Sequence, residues 1–293
     1  MPSTIMRARS PLANPPGSGH NTLRMALELK DRTVLVTGAA SGIGRRLALD
    51  LYWEEKCRLI LVDVDAAELR VLKDELEPEA DGGRVSAHVC DIGSAEAVDA
   101  LAAAVGGRPL DVLVNNAGIT RLGSFEHTDF ATFERVVQVN LLGTARVTKA
   151  FLPSLLAGTD PFIVNVASMA GLVSAPGMSA YVASKFGVVG FSDALHSELS
   201  PRVGIGAVCP TFVRTNIAKG APGKADSFLG VVGSDPKKVS AAVIRTVKER
   251  KRLVLVNADA YLVYYFNRFF PGLSETMVSA AYKVLVATGV IEE

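Results

Sequence analysis

Short apolar segments rich in β-branched residues alternate with longer helical segments between residues 32 and 256. Short runs predict strands, and longer runs with apolar residues at helical spacing predict helices. The predicted strands are 33–37, 58–62, 85–90, 112–115, 162–167, 204–209 and 253–256, and the predicted helices are 43–55, 66–77, 95–105, 129–156, 180–199 and 236–250. Apolar strands separated by helices are typical of a parallel sheet covered on both faces. The pattern predicts a single-domain α/β fold with a doubly wound, seven-stranded parallel sheet.

Two segments flank this predicted domain, which spans residues 26–256. Residues 1–25 are rich in Pro, Ser, Gly and Asn and contain no acidic residue, which predicts a disordered leader. An organelle-targeting peptide is the alternative interpretation of the leader. Residues 257–293 form a C-terminal extension that we expect to pack on the same domain.

The C-terminal extension is unusually aromatic. Residues 261–270 contain six of the chain's 19 aromatic residues: Tyr261, Tyr264, Tyr265, Phe266, Phe269 and Phe270. Three other roles remain open for this cluster. It could wall an apolar substrate pocket, pack between subunits, or contact a membrane surface with the help of four cations: Lys248, Arg250, Lys251 and Arg252.

Composition excludes several classes of protein. With 293 residues, 49% hydrophobic side chains and a net charge of +1, the chain can bury a large core and has no bulk charge to attract nucleic acid. Three scattered cysteines predict a reducing, cytoplasmic location, and the four histidines show no spacing for a metal site. No apolar run reaches the roughly 18 residues that a membrane-spanning helix needs.

A glycine-rich turn follows the first predicted strand directly. Gly38, Gly42 and Gly44, with Ser41 and Ile43, lead into a helix, and exposed amides at such a turn can bind a pyrophosphate. Asp63 follows the second strand, where a carboxylate can accept hydrogen bonds from the adenosine ribose hydroxyls. A 2′-phosphate would meet Asp63 as a like charge, so the pair of signals predicts NAD rather than NADP.

The motifs together closely resemble those of the short-chain dehydrogenase/reductases, in the single-domain, NAD-preferring branch. The resemblance implies a Rossmann-like, NAD(P)-binding catalytic domain and covers about residues 29 to 215. It rests on Thr37-Gly-x-x-x-Gly-x-Gly44, Asp91, Asn115-Asn116-Ala117-Gly118, Asn140, Ser168 and Tyr181-Val-Ala-Ser-Lys185.

Tyr181 and Lys185 are four residues apart, so they share one face of a helix. An ammonium beside a phenol favours the phenolate, and a lowered tyrosine pKa suits a general acid/base. The resemblance implies that Tyr181 exchanges a proton with the substrate and that Lys185 also holds the nicotinamide ribose. It further implies that Ser168 orients the substrate and that Asn140 disturbs its helix and positions a water in a proton relay.

Further ligand-binding residues are implied by the same resemblance. Asn115 mainly stabilises the sheet in relatives, and the others contact the cofactor: Asp91, Ile92, Ala117, Gly118, Pro210, Val213 and Thr215. Thr211 replaces a family glycine, which puts the path of that loop in doubt. The long connection 211–235 suits a mobile lid, and its residues Phe212 and Phe228 are predicted to contact substrate.

These motifs predict an NAD(H)-dependent oxidoreductase that interconverts an alcohol and a ketone or aldehyde. The aromatic extension suggests a hydrophobic substrate. A catalytically silent nucleotide-sensing or scaffold protein and an NADP-dependent reductase are the alternatives, and an epimerase or dehydratase is a weaker one. The resemblance also implies a homodimer or homotetramer that is paired through the helices at 129–156 and 180–199.

Overall fold

A computed structural model describes residues 27–77, 83–213 and 233–289. The strands are β1 (Thr33–Thr37), β2 (Arg58–Asp63), β3 (Val85–Val89), β4 (Val112–Asn115), β5 (Phe162–Val166), β6 (Gly204–Cys209) and β7 (Leu253–Leu255). The helices are α1 (Gly42–Trp53), α2 (Ala66–Leu76), α3 (Ala95–Val105), α4 (Phe130–Val137), α5 (Thr144–Leu156), α6 (Ser179–Leu199), α7 (Pro236–Lys248), α8 (Ala258–Phe269) and α9 (Pro271–Ala287). The seven predicted strands are confirmed, each with its ends within one residue of the prediction.

The described strands form one parallel sheet in the order β3-β2-β1-β4-β5-β6-β7. Leu35 of β1 is in register with Ile60 of β2 on one side and with Leu113 of β4 on the other. The strand order reverses at β1 and β4, so the loops that leave these strands diverge to opposite faces. A crevice opens there, outside the carboxyl ends of the strands.

Helices cover both faces of the sheet, as the doubly wound prediction requires. Successive residues of a strand point to opposite faces, and Val34 and Leu35 of β1 accordingly belong to two different buried clusters. The first cluster contains Leu47 of α1 and Val243 of α7, and the second contains Phe151 of α5. This two-sided burial explains why the strand sequences are apolar throughout.

The single helix predicted over 129–156 is interrupted in the structure. A π-helical turn, Gln138–Gly143, separates α4 from α5. Gly143 allows this turn to lie close to the segment that follows β3, since a Cβ on it would come within 2.9 Å of Ile92. Asn140 lies inside the turn. Single π-turns are frequent at functional sites, because they displace backbone and side chains locally.

The C-terminal extension folds into two helices, α8 and α9, which the sequence analysis did not predict. Helix α8 packs on the rest of the chain through Ala260, which is fully buried, and through Tyr264. Other aromatic residues of the cluster remain exposed in this chain, with Phe269 71% and Phe270 57% accessible. The interpretation that the whole aromatic cluster packs on its own domain therefore holds only for its inner side.

The predicted leader 1–25 and the two predicted ligand contacts Thr215 and Phe228 lie outside the described residues. Within the ranges that the structure covers, no helix is both long and apolar enough to cross a membrane.

Candidate active site

The glycine turn after β1 has a backbone that only glycine accommodates easily. Gly38 and Gly42 have φ values of 65° and 52°, in the left-handed region. A Cβ on Gly44 would lie 1.9 Å from the Gly38 carbonyl oxygen. Asn116 fixes the turn from the neighbouring strand end, because its Nδ2 donates to the carbonyl oxygens of Thr37 and Gly38, each at 3.0 Å. The turn is therefore a rigid element that brings the α1 amides to the crevice.

Asp63 ends β2 beside this turn. One carboxylate oxygen accepts from the Ala40 amide at 2.8 Å, and the other accepts from the Asp65 amide at 3.0 Å. The nearby cations are engaged elsewhere, since Arg45 pairs with Glu75 and Arg46 pairs with Asp50. The carboxylate is thus fixed at the crevice without a cation to neutralise it among the residues that the structure covers.

Asp91 follows β3 on the far side of the crevice. Burial alone would raise its pKa, but hydrogen bonds from Arg135 and the Gly93 amide, with the Arg135 charge, outweigh burial and lower the pKa. The Asp91–Arg135 pair is 2.8 Å long. Asp91 therefore stays ionised while part of its hydrogen-bonding capacity is already used.

The crevice encloses about 360 Å³ and brings together most of the predicted cofactor contacts. Its lining includes Gly38, Ser41, Gly42, Ile43, Asp63, Asp91, Ile92, Ala117 and Gly118. Asn115 is not part of this lining. It is buried, and its Nδ2 donates to Thr148 at 3.0 Å and to Asn165 at 2.8 Å. A glycine-rich turn beside a fixed carboxylate fits a dinucleotide whose ribose hydroxyls donate to Asp63.

Ser168, Tyr181 and Lys185 come together where β5 ends against α6. Ser168 lies two residues after the end of β5 and caps the short helical turn Met169–Gly171, where its Oγ accepts from the Ala170 amide at 3.1 Å. The Lys185 Nζ donates to the Val166 carbonyl oxygen at 2.9 Å and lies 5.6 Å from the centre of the Tyr181 ring. All three side chains are buried. The sequence pattern thus identified a real spatial cluster.

Burial dominates the titration of this cluster. It raises the pKa of Tyr181 to about 12, although a hydrogen bond with Ser168 acts in the opposite direction. It also lowers the pKa of Lys185 to about 8. The prediction that Lys185 lowers the tyrosine pKa is wrong for the protein's own side chains, because the phenolate loses more hydration energy on burial than its neighbours restore.

Asn140 connects the π-helical turn to the loop after β4. Its Oδ1 accepts from the Ile119 amide at 2.8 Å, and its Nδ2 donates to the Ile119 carbonyl at 2.9 Å and to Ser184 Oγ at 3.0 Å. The Ser184 hydroxyl in turn donates to the Tyr181 carbonyl at 2.7 Å. The asparagine side chain therefore ties the Gly118–Ile119 loop to the helix that carries Tyr181 and Lys185.

A second space, which we call the inner cavity, adjoins the crevice and encloses about 450 Å³. The two share Ile43, Asn116 and Gly118 as lining residues. Ser168, Tyr181 and Lys185 line the inner cavity, as do the predicted contacts Pro210, Phe212 and Val213. A site that can hold a dinucleotide therefore continues directly into the space bordered by the buried serine, tyrosine and lysine.

Sequence reasoning missed much of the inner cavity wall. Its apolar side chains include Leu122, Met169, Val173, Met178, Val263 and Val278. Val263 and Val278 come from α8 and α9, so the extension does wall the cavity, but through valines rather than through the aromatic cluster. Thr120, which also lines this cavity, was missed as well; its buried hydroxyl has no hydrogen-bond partner among the described residues. No spacing in the sequence marks these residues.

A larger cavity of about 770 Å³ lies between α6, β7 and α8, away from the serine, tyrosine and lysine. The cations around it are paired: Arg250 with Asp160 at 2.8 Å, Lys251 with Glu249 at 2.5 Å, and Arg252 with Asp193. Lys248 pairs with Glu55. The four cations that could have assisted contact with a membrane are therefore engaged in ion pairs within the chain.

The fold and the site define a dinucleotide-binding α/β oxidoreductase, and comparison with known proteins gives its family. The model of the short-chain dehydrogenases matches residues 32–225. The chain belongs to the short-chain dehydrogenase/reductase family.

Curated relatives extend the match. The "Probable oxidoreductase EphD" of Mycobacterium tuberculosis is 36% identical over 261 residues, which are 82% of this chain and 43% of EphD. This chain therefore spans less than half the length of that relative. The dehydrogenase/reductase SDR family member 7B of Xenopus tropicalis is 33% identical over 276 residues, 89% of each chain.

Solved structures agree with this assignment. A short-chain dehydrogenase/reductase from Burkholderia phymatum in complex with NAD superposes with a TM-score of 0.76 at 29% identity, over 84% of this chain and 96% of the other. An alcohol dehydrogenase from Thermococcus sibiricus complexed with 5-hydroxy-NADP gives a TM-score of 0.68 at 27% identity, over 77% and 96%.

Proposed function

We propose that this chain is an NAD(H)-dependent oxidoreductase that interconverts a hydrophobic alcohol and its ketone or aldehyde. The observation that carries the proposal is the position of Ser168, Tyr181 and Lys185 on the wall of the inner cavity, which is continuous with the crevice at Asp63. A substrate in the inner cavity would contact these three side chains and lie beside a dinucleotide in the crevice.

NAD, when bound, supplies the acceptor for the hydride that leaves the carbinol carbon. Tyr181 takes the hydroxyl proton in the oxidation and returns a proton to the carbonyl oxygen in the reduction. Its raised pKa keeps the phenol protonated near neutral pH, so the side chain is ready to act as an acid toward a ketone.

Ser168 and Lys185 complete the proposed set. The Ala170 amide donates to the Ser168 Oγ, and the serine also hydrogen-bonds with Tyr181, so a substrate oxygen would bind between the two hydroxyls. Lys185 would bind the nicotinamide ribose through its buried ammonium. Asn140 would support the proton path by holding the Ile119 loop and the Tyr181 helix together and by positioning a water there.

The preference for NAD rests on Asp63. A carboxylate fixed by two backbone amides can accept from ribose hydroxyls, but it repels a 2′-phosphate. Arg45 and Arg46, the cations next in sequence to the glycine turn, are paired with other carboxylates. The solved relatives include one with NAD and one with an NADP derivative, so the local charge rather than the family supports this choice.

The preference for a hydrophobic substrate rests on the inner cavity. Most of its lining side chains are apolar, and the polar minority includes Ser168, Tyr181 and Lys185. Pockets of this kind bind apolar ligands by burial and orient them through a small number of polar contacts.

We also propose a homodimer or homotetramer. Leu142, Leu156 and Phe186 are exposed large apolar residues on the helices that pair subunits in relatives, and each is more than 40% accessible in this chain. Light scattering on the purified protein measures the state directly.

The experiment that tests the function follows NAD reduction by absorbance across alcohols that range from small polyols to steroids and retinoids. In Tyr181→Phe we expect turnover to fall by about 10² to 10⁴-fold while NAD affinity is retained, because only the proton exchange is lost. Tyr261→Phe is the matched control, since that tyrosine lies outside the inner cavity and should keep full turnover.

Two outcomes would contradict the proposal. Turnover of Tyr181→Phe at the wild-type rate would remove the tyrosine from the mechanism. Tight NAD binding without turnover of any alcohol or ketone would instead favour a silent nucleotide-binding protein.

A further inference from the structure

A second, more polar space adjoins the inner cavity and shares no lining residue with the crevice. We call this space the outer chamber. It is an open groove of about 390 Å³ between α9 and the loop that precedes α6, and Ser174, Glu275 and Ser279 on its wall are exposed. Ser174 and Val278 line both the inner cavity and the outer chamber, so the two spaces meet at these residues. The outer chamber is therefore the space that a ligand too long for the inner cavity would meet next at Val278.

The two spaces differ in chemistry. Apolar side chains surround most of the inner cavity, whereas the outer chamber is lined by Asn267, Ser274, Glu275 and Ser279 in addition to Ser174. No cation lines the outer chamber among the described residues. A ligand that spans both spaces would place an apolar body beside Tyr181 and a polar end among these side chains.

The hydrogen bonds inside the outer chamber specify that polar end. The buried Ser274 hydroxyl donates to Asn267 Oδ1 at 2.9 Å, which ties α9 to α8. The amide NH₂ of Asn267 is then the group available to donate, and no described residue accepts from it. Glu275 offers a carboxylate acceptor that forms no ion pair with any described residue. A groove that offers both a donor and an acceptor matches a hydroxyl, which can accept from one and donate to the other.

We propose that the outer chamber is a specificity subsite, and that the substrate is an elongated apolar alcohol or ketone with a hydroxyl group at the end remote from the reacting carbon. The proposal rests on the function proposed above. A carboxylate or phosphate at that end would be disfavoured, because it would face Glu275 as a like charge and could not donate to it. An alkyl end would displace water from the Asn267 amide and the Glu275 carboxylate without replacing its hydrogen bonds.

The test uses the full chain with NAD and secondary alkanols of increasing length, each compared with its ω-hydroxy and ω-carboxy derivatives. Once the chain is long enough to reach the outer chamber, we expect the ω-hydroxy compound to exceed the plain alkanol in kcat/KM by about tenfold, as two net hydrogen bonds supply. The ω-carboxy compound should fall below the ω-hydroxy compound. Equal kcat/KM for the three ends at every length would overturn the proposal.

Two variants locate the effect in the structure. Val278→Phe places a larger side chain where the two spaces meet. We therefore expect the kcat/KM of the long ω-hydroxy compound, divided by the kcat/KM of the shortest alkanol, to fall at least tenfold. Met277→Phe is the control, because this neighbouring side chain is 57% exposed and lines neither space. Glu275→Gln should raise the relative kcat/KM of the ω-carboxy compound. An equal loss of the ratio in Met277→Phe and Val278→Phe would contradict the placement.

Failure of the proposed function gives a different result. If no alkanol is turned over, calorimetric binding of the long ω-hydroxy alkanol to the NAD-saturated wild type and Val278→Phe still tests the subsite. Weaker binding to Val278→Phe, with unchanged binding to Met277→Phe, would support the subsite without the reaction. Equal binding to all three proteins, or no binding, would overturn it.

Discussion

Gly44 provides a sharp test of how the glycine turn builds the cofactor site. In Gly44→Ala the new Cβ would lie 1.9 Å from the Gly38 carbonyl oxygen and 2.7 Å from Asn116 Nδ2. Real Cβ contacts are almost never shorter than 3.0 Å, so the turn must move by about 1 Å relative to α1. The obstacle is backbone, which cannot rotate away as a long side chain would. Gly38 has little room to move, because a Cβ built on it would lie only 2.8 Å from the Ala117 Cα.

The expected magnitudes follow from that displacement. Overpacking of a tightly packed site costs about 1 to 3 kcal/mol in the free energy of unfolding. At roughly 2 to 4 °C of melting temperature per kcal/mol for a chain of this size, Tm should fall by several degrees. A shift of about 1 Å in the amides that face the pyrophosphate should also weaken NAD binding, by at least tenfold.

Thermal denaturation and calorimetric NAD titration measure the two effects separately. Gly272→Ala is the matched control, because that glycine lies in α9 with no atom within 4 Å of its Cβ position. It should leave NAD affinity unchanged and raise stability by less than about 1 kcal/mol, since Ala has the higher helix propensity. Wild-type NAD affinity and Tm in Gly44→Ala would refute the packing argument.

Two further predictions concern charge. Burial lowers the pKa of Lys185 to about 8 from 10.5, so between these pH values the unfolded chain binds more protons than the folded chain. The free energy of unfolding of the wild type should therefore rise with pH across that window, relative to Lys185→Met, by up to roughly 3 kcal/mol. Urea denaturation at several pH values measures this difference, and parallel pH profiles for the two proteins would contradict it. In Asp63→Asn the charge is lost but an oxygen remains, so the preference for NAD over NADP in competing titrations should shrink by about tenfold; an unchanged ratio, or a wild type that prefers NADP, would remove Asp63 from cofactor selection.

Some local features of the site follow from sequence with little ambiguity. Helical spacing places Tyr181 and Lys185 on one face, and the alternation of apolar strands with helices requires a covered parallel sheet. In a parallel sheet, residues that follow different strands meet at one edge. The positions of Asp63 and Ser168 at that edge were therefore predictable from strand assignments alone.

The protonation states were not predictable in the same way. Sequence spacing predicted a lowered pKa for Tyr181, because it considered only the charge of Lys185. The structure raises that pKa, because burial depends on every residue packed around the phenol. Burial is a property of the assembled fold and has no signal in local sequence.

Tertiary packing also decided the far side of the substrate site. The sequence marked residues 261–270 as an aromatic cluster, but the residues that reach the inner cavity are Val263 and Val278 on two unpredicted helices. Their position depends on how Ala260 packs under β7 and how Ser274 bonds to Asn267. Sequence by itself determined the family, the sheet and the positions of the reactive groups, because these depend on local periodicity and fixed spacing. The shape of the substrate site was left to long-range contacts, which pattern and composition do not encode.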